Sequence, residues 1–232
     1  MSKVLISYLI PCGNRLADLE EVMPKVIAAA DFSPPVEILV LDYNSKDAID
    51  DYMAGLQNTK LVEGNYIKYV KYDKGGFWHM AHSRNLAIKS AAGEYCTVSA
   101  TDMYFSEEFF ARIREKIAEG YKWIRLDTKE KPGFITVATD ELIAAGGYDE
   151  RFEFYGPEDK ELNERLERRG VVYATVDHSM VHTIRTPNAV KVTNYRLHMS
   201  KSQMVERMLP IYHENTENKI LVANEGLEWG KA

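Results

Sequence analysis

Two adjacent carboxylates, Glu158 and Asp159, follow a Gly-Pro dipeptide at a place where the sequence predicts the start of a helix. Proline suits the first helical position, because the N–H that it lacks would be unpaired there. Leu162 and Leu166, four positions apart, would lie on one face of this helix. A carboxylate held at a helix start can take a proton from a hydroxyl group, as general base catalysis requires. Alternatively, the acidic pair only complements the helix dipole, which favours anions at an N-terminus.

A longer pattern precedes this acidic pair. Residues 146–152 read GGYDERF and residues 155–159 read YGPED. The string resembles the acceptor-side motif of inverting glycosyltransferases of family two and of the galactosyltransferase C-terminal type, GG(F/Y)DE.F…(W/Y)GxED..L..R. The resemblance implies that Asp159 is the general base and that Glu158 binds the acceptor or orients the base. It also implies acceptor binding by Tyr155 and Gly156. Trp78 lies on a glycine-rich loop, which favours a role in stacking on the acceptor sugar or in a lid over burial in the core.

Three further motifs occur earlier in the chain, each at the end of a predicted strand or in a predicted helix. They read IPCGNR at residues 10–15, VLDYNSKD at 40–47, and HSRNLA followed by AGEY at 82–95. They resemble the family patterns IPxyNR, VxDdgSxD and ARNxg…AxGey, which implies that Pro11, Asn14, Asp42 and Arg84 bind a sugar nucleotide. Taken alone, Asp42 could equally be a turn residue, and Arg84 could pair with a surface carboxylate.

The fourth predicted strand leads to the family's Asp-x-Asp position, whose last carboxylate binds a divalent cation that bridges the donor diphosphate. Asp102 keeps that place, but Ala100 stands where the first aspartate would be. His182 matches the family histidine that completes the site, although taken alone it could be structural. The resemblance therefore implies Mn²⁺ or Mg²⁺ on Asp102 and His182, with Asp102 also contacting the sugar nucleotide, and the imidazole favours manganese. Lys74 or Arg185 could replace the cation.

The elements that must position these residues follow an alternating order. Apolar segments at 4–10, 36–41, 66–72 and 94–99 alternate with helical patterns, which predicts an α/β fold with a parallel sheet covered on both faces. The resemblance specifies a GT-A-type, Rossmann-like, mainly parallel sheet with a C-terminal helical extension. It implies a nucleotide-sugar-binding half at 1–105 and an acceptor-binding, catalytic half of the same domain at 106–186. For 187–232, acceptor binding, an oligomer contact and simple packing remain open.

Composition limits the function classes. The 232 residues are 45% hydrophobic, enough for one substantial core, and the formal net charge of −6 argues against non-specific nucleic-acid binding. Two cysteines are too few for a disulfide framework, so we expect a reducing, cytoplasmic location. No stretch approaches the length of a transmembrane helix.

The sequence thus predicts a metal-dependent inverting glycosyltransferase that moves a sugar from a nucleoside-diphosphate sugar, expected to be a UDP-sugar, to a hydroxyl of a glycan acceptor. One alternative is a sugar-nucleotide or glycan-binding protein without turnover, suggested by Ala100. Another is a sugar nucleotidyltransferase, because GNRL at 13–16 with Pro24-Lys25 echoes the phosphate loop of those enzymes.

Overall fold

The computed structural model describes residues 5–128 and 133–231. Its strands are β1 (Ile6–Cys12), β2 (Val36–Tyr43), β3 (Tyr66–Tyr72), β4 (Tyr95–Val98), β5 (Met103–Phe105), β6 (Trp123–Leu126), β7 (Ile135–Ala138), β8 (Tyr173–Val176) and β9 (Val181–Thr183). Its α-helices are α1 (Leu16–Phe32), α2 (Ile49–Leu56), α3 (Met80–Ser90), α4 (Phe109–Ala118), α5 (Thr139–Ala144), α6 (Glu158–Arg168), α7 (Asn188–Val192) and α8 (Lys201–Glu217). A 3₁₀ turn occupies His178–Met180.

Seven strands form one sheet in the order β3-β2-β1-β4-β7-β6-β8, and β5 pairs with β9 in a separate two-stranded sheet. The first four strands are parallel, and β8 is parallel to β6. Strand β7 runs antiparallel to both of its neighbours. The expected mainly parallel sheet flanked by helices is therefore confirmed, with one reversed strand after the fourth.

Continuous burial explains why the central strands read as unbroken apolar runs. Every residue of β1 and of β2 is buried, as expected where helices cover both faces of a parallel sheet. One apolar cluster joins the sheet to α1 and α4, and a second joins its other face to α3, α6 and α8. Because the core holds these strands rigidly, the loops at their carboxyl ends are fixed in position.

The C-terminal segment packs back onto the Gly146–Gly147 turn, where φ is +79° and +66°. The backbone N–H of Ala223 donates to the Ala145 carbonyl at 2.9 Å, and Asn224 donates to the Gly146 carbonyl at 2.8 Å. A Cβ added at Gly146 would lie 2.0 Å from the carbonyl oxygen of Ala223, so glycine is required there by space as well as by backbone angle. Within the two described ranges, no helix combines the length and the apolar character needed to cross a membrane.

Candidate active site

A cavity of about 290 Å³ opens where β1 and β4 end and where α6 begins. This is the edge of an open α/β sheet at which ligands commonly bind, since the loops after parallel strands meet there. Both halves of the sheet contribute to its wall, and so do α7, α8 and the segment between them. The lining residues include Pro11, Gly13, Arg15, Trp78, Arg84, Asp102, Gly133, Tyr155, Gly156, Asp159, Lys160, Lys191, Asn194 and Lys201.

The acidic pair at the start of α6 is held by Arg84 of α3. Arg84 Nη1 donates to Asp159 Oδ1 at 2.5 Å and to Glu158 Oε1 at 3.1 Å. Burial acts to lower the pKa of Arg84, but the carboxylates of Asp159 and Glu158 more than offset this effect and leave the pKa above its usual value. Arg84 was expected to contact the nucleotide; in the structure its hydrogen-bonded partners are the two carboxylates.

The two carboxylates of the pair lie in different environments. Glu158 is 1% exposed and accepts a hydrogen bond from the Gly156 N–H at 3.0 Å, whereas the Asp159 side chain is 19% exposed and lines the cavity. Burial, with Asp159 beside it, raises the pKa of Glu158 to about 8 against the opposing effect of Arg84. Glu158 is therefore the member of the pair that holds a proton more tightly, and Asp159 is the carboxylate that lines the cavity.

Gly133 packs directly against the Asp159 carboxylate. A Cβ at position 133 would lie 2.3 Å from Asp159 Oδ2, a distance at which one of the two groups must move. The close approach of the carboxylate accounts for the absence of a side chain at this position.

Asp102, after β4, also lines the cavity, and two cations hold its carboxylate. Lys191 Nζ lies 2.5 Å from Asp102 Oδ2, and Arg15 Nη2 lies 3.8 Å from the same oxygen. The Asp102 side chain is 7% exposed and that of Lys191 is 30% exposed, so the carboxylate is shielded from water and the lysine is partly accessible. Lys191 belongs to α7, in the C-terminal segment to which the sequence assigned no role.

His182 was expected to complete a metal site with Asp102. The structure places its exposed side chain on β9, with the imidazole 5.1 Å from the ring of Tyr104, its cross-strand neighbour. His182 is not among the described residues that line the cavity. The set of possible metal ligands also lacks a carboxylate at position 100, where the residue is Ala100, and Asp102 is already paired with an ammonium group. These residues do not fit a Mn²⁺ or Mg²⁺ site.

Ligand atoms of Asp127, Asp177 and His178 lie within 4.8 Å of one another in the described part of the chain. All three are exposed and none lines the cavity. Asp127 accepts hydrogen bonds from the backbone N–H and the ring of His178 at 2.8 and 2.7 Å, so this group already has partners.

The side chains of Asp42 and Asn14, both of which were expected to bind the nucleotide, form hydrogen bonds within the protein. Asp42 is fully buried at the end of β2, where its carboxylate accepts hydrogen bonds from the Ser45 N–H at 3.0 Å and the Tyr69 hydroxyl at 3.1 Å. Asn14, at φ +53°, donates to Asn194 and accepts from the Lys46 N–H. Neither lines the cavity among the described residues, because their side chains are already engaged within the protein.

The three residues expected to bind the acceptor are brought together at the cavity wall. Trp78 packs against Gly13, where a Cβ would lie 2.6 Å from the indole ring. The Tyr155 ring faces the ammonium group of Lys201 at 4.0 Å, and Gly156 supplies the N–H that binds Glu158. Pro11, the remaining expected residue, also lines the cavity.

Sequence reasoning singled out Arg84 but missed the other four basic residues of this site. Five basic side chains line the cavity against two acidic ones, although the whole chain carries a net charge of −6. Arg15 lies within the IPCGNR motif, which could have pointed to it. Lys191 and Lys201 carry no motif; the signal available for α8 was its capping box, Ser200 with Gln203.

Solved structures of similar fold include two complexes of TarS from S. aureus. TarS 1–349 with UDP has a TM-score of 0.64 at 14% identity, over 93% of this chain and 72% of that one. TarS 1–349 with UDP-GlcNAc has a TM-score of 0.62 at 15% identity, over 94% and 70%. The mannosyltransferase PcManGT from Pyrobaculum calidifontis, with GDP-Man and Mn²⁺, has a TM-score of 0.60 at 15% identity, over 78% and 57%. At these identities the likeness shows a shared GT-A-type fold.

No curated protein matches this sequence. The model of one protein family, described as glycosyl transferase family 2, matches residues 7–142, which is more than half of the chain. The matched range contains all four nucleotide-side motifs, β2–β4 and all of β1 except its first residue, and the cavity lies where β1 and β4 end. The chain therefore belongs to glycosyl transferase family 2 and is a glycosyltransferase.

Proposed function

We propose that this protein is an inverting glycosyltransferase that moves a sugar from a nucleoside-diphosphate sugar to a hydroxyl group of a glycan acceptor. The observation that carries the proposal is Asp159, which lines a net-positive cavity at the start of α6 and is held there by Arg84. A cationic cavity suits a diphosphate, and a carboxylate facing the same space suits a hydroxyl nucleophile.

In the proposed reaction the acceptor oxygen forms a bond to the anomeric carbon while its proton passes to Asp159. The bond from that carbon to the phosphate oxygen breaks, and its electron pair leaves with the nucleoside diphosphate. Attack from the face opposite the leaving group inverts the anomeric configuration. Arg84 keeps the carboxylate in place, which matters because small misplacements of a catalytic group lower the rate strongly.

The two halves of the domain would contribute different groups to this reaction. Residues 1–105 would hold the nucleotide sugar, with Pro11 in the wall, and residues 106–186 would supply the base. Trp78 and Tyr155, which both line the cavity, offer aromatic faces on which sugar rings can stack. Residues after 186 add positive charge to the same space, which extends the functional site into the C-terminal segment.

Turnover of a donor panel tests the proposal. The purified chain is incubated with UDP-, GDP-, CDP-, ADP- and dTDP-sugars and simple glycan acceptors, and free nucleoside diphosphate is measured. UDP-sugars come first, since the TarS neighbours were solved with UDP and UDP-GlcNAc. We expect diphosphate release with one nucleotide class and a product whose anomeric NMR coupling shows inversion.

The two alternatives have distinct outcomes in that assay. A binding protein without turnover would raise its melting temperature with a sugar nucleotide yet release no diphosphate. A sugar nucleotidyltransferase would release pyrophosphate from a nucleoside triphosphate and a sugar phosphate. A product with retained configuration would contradict the inverting mechanism and the role of Asp159 as base.

A further inference from the structure

The position that a divalent cation would take beside Asp102 is occupied by side-chain cations. Lys191 Nζ is 2.5 Å from Asp102 Oδ2, and Arg15 Nη2 is 3.8 Å from it. Arg15 Nη2 is buried and has no hydrogen-bond partner among the described residues. Because a buried guanidinium N–H normally has a partner, this atom points to an acceptor that the free protein does not supply.

Arg84, another basic residue that lines the cavity, already has ionic partners. Arg84 binds both Glu158 and Asp159, so its charge is matched by the acidic pair. Arg15 also pairs through its Nε with Asp18, so the charges of Lys191 and Arg15 are matched by the carboxylates of Asp102 and Asp18. What remains available to an anion at this point is the unpartnered N–H of Arg15 Nη2, beside the Lys191 ammonium group.

A metal ion bound to Asp102 would meet three obstacles. Ala100 offers no ligand atom, and the His182 ring lies against Tyr104 on the separate two-stranded sheet. A divalent cation would also be repelled by Lys191, which would have to leave its ion pair to admit it. An ammonium and a guanidinium group, by contrast, both bind phosphate oxygens directly.

We infer that Lys191 and Arg15 take the place of the divalent cation in this enzyme, so that donor binding and transfer need no metal. This inference rests on the proposed function and names how that site binds the diphosphate. Lys191 and Arg15 donate to the diphosphate oxygens of the bound donor. As the bond to the anomeric carbon breaks, the leaving oxygen gains a negative charge, and these two cations stabilise it. Asp102 is then a positioning residue that orients Lys191, rather than a metal ligand.

Calorimetric binding of nucleoside diphosphates in EDTA tests the inference without any substitution. UDP, GDP, CDP, ADP and dTDP are titrated into the wild-type protein in EDTA and then in manganese. For the nucleotide that binds, we expect affinities that agree within about threefold between the two conditions, since no interaction depends on the ion. The corresponding nucleoside is titrated in parallel, which separates the contribution of the nucleoside to binding from that of the diphosphate.

Lys191→Met then removes one cation and keeps the length of the side chain. Loss of a charge-assisted hydrogen bond to phosphate should weaken diphosphate binding about 10- to 100-fold in EDTA, while binding of the nucleoside is unchanged. Lys191→Arg, which keeps the charge, should retain most of the affinity. Lys122→Met is the matched control, because Lys122 is exposed and pairs with Asp140 and Glu141 away from the cavity lining.

Asp102→Asn separates the two mechanisms by the sign of its effect. If Asp102 only orients Lys191, removing its negative charge leaves diphosphate affinity in EDTA unchanged or tighter. If Asp102 holds an ion, the same substitution abolishes the manganese-dependent part of binding.

Each of these measurements either supports or overturns the inference. Diphosphate binding that requires manganese, or that Asp102→Asn abolishes, would overturn it and leave the proposed glycosyl transfer standing. Full affinity of Lys191→Met in EDTA would also overturn it. If none of the five nucleoside diphosphates binds with or without manganese, the proposed function falls together with the inference.

Discussion

The proton held by Glu158 makes a prediction about stability that can be worked out from the structure. In the unfolded chain this carboxyl releases its proton near its ordinary pKa of 4.5, whereas in the folded protein burial raises the pKa to about 8. Between these values the folded state binds one more proton than the unfolded state, so the free energy of unfolding falls as pH rises. Over the roughly 2.5 pH units from pH 4.5 to pH 7, the free energy of unfolding therefore falls by about 3 kcal/mol.

Glu158→Gln removes this titration while nearly keeping the shape of the side chain. The neutral carboxyl and the amide both offer Arg84 a carbonyl oxygen, so any cost of the substitution at low pH does not change with pH. We therefore expect its free energy of unfolding, relative to wild type, to rise by about 3 kcal/mol between pH 4.5 and pH 7. That is a large share of the roughly 5–15 kcal/mol typical of a folded domain.

Urea denaturation of both proteins at half-unit pH steps measures this change. Glu167→Gln is the matched control, because Glu167 is on the same helix and its side chain is 50% exposed. The control should follow the wild-type curve. Parallel curves for Glu158→Gln and wild type would refute the reasoning, since Glu158 would then be ionised at neutral pH. Asp159 would no longer be singled out as the carboxylate that takes the proton.

Three further predictions concern the base, its packing and the β2 loop. Asp159→Asn should lower kcat by about 100-fold or more with the dissociation constant for the nucleoside diphosphate unchanged; near-normal kcat would exclude it as the base. Gly133→Ala should lower kcat about tenfold or more, because the new Cβ would displace the carboxylate 2.3 Å away. Gly55→Ala, which meets nothing within 4 Å, should leave kcat unaltered, and equal kcat for both alanine variants would contradict the argument. Asp42→Asn should reduce the free energy of unfolding by about 1–3 kcal/mol, measured in urea, with diphosphate affinity retained in calorimetry; weakened binding at full stability would restore the nucleotide role.

Local patterns predicted the elements of the fold well. The third strand lies where the sequence placed it, at Tyr66–Tyr72. Helix α6 begins at Glu158 with Pro157 as its cap, one residue after the expected start. The reversed direction of strand β7, by contrast, was not predicted. An apolar run signals burial and extended backbone, yet it carries no information about which way a neighbouring strand runs.

The motifs located the region of chemistry but not the contacts within it. Parallel strands end at one edge, so Pro11 and Asp102 had to lie near the start of α6 once the sheet order was set. Whether a motif residue faces the cavity depends on its neighbours. Asp42 is turned inward because Tyr69, on the adjacent strand, donates to its carboxylate.

The sequence by itself determined the family, the alternation of strands and helices, and the acidic pair at a helix start, because each of these depends on residues that are close together in the chain. Tertiary structure alone decided that Lys191, 89 residues after Asp102, forms an ion pair with the Asp102 carboxylate. It also decided that Glu158 is buried while Asp159 lines the cavity. The physical reason is that charge pairing and burial depend on segments that meet only when the chain is packed, and α7 reaches the cavity through a stretch with no periodic signal of its own.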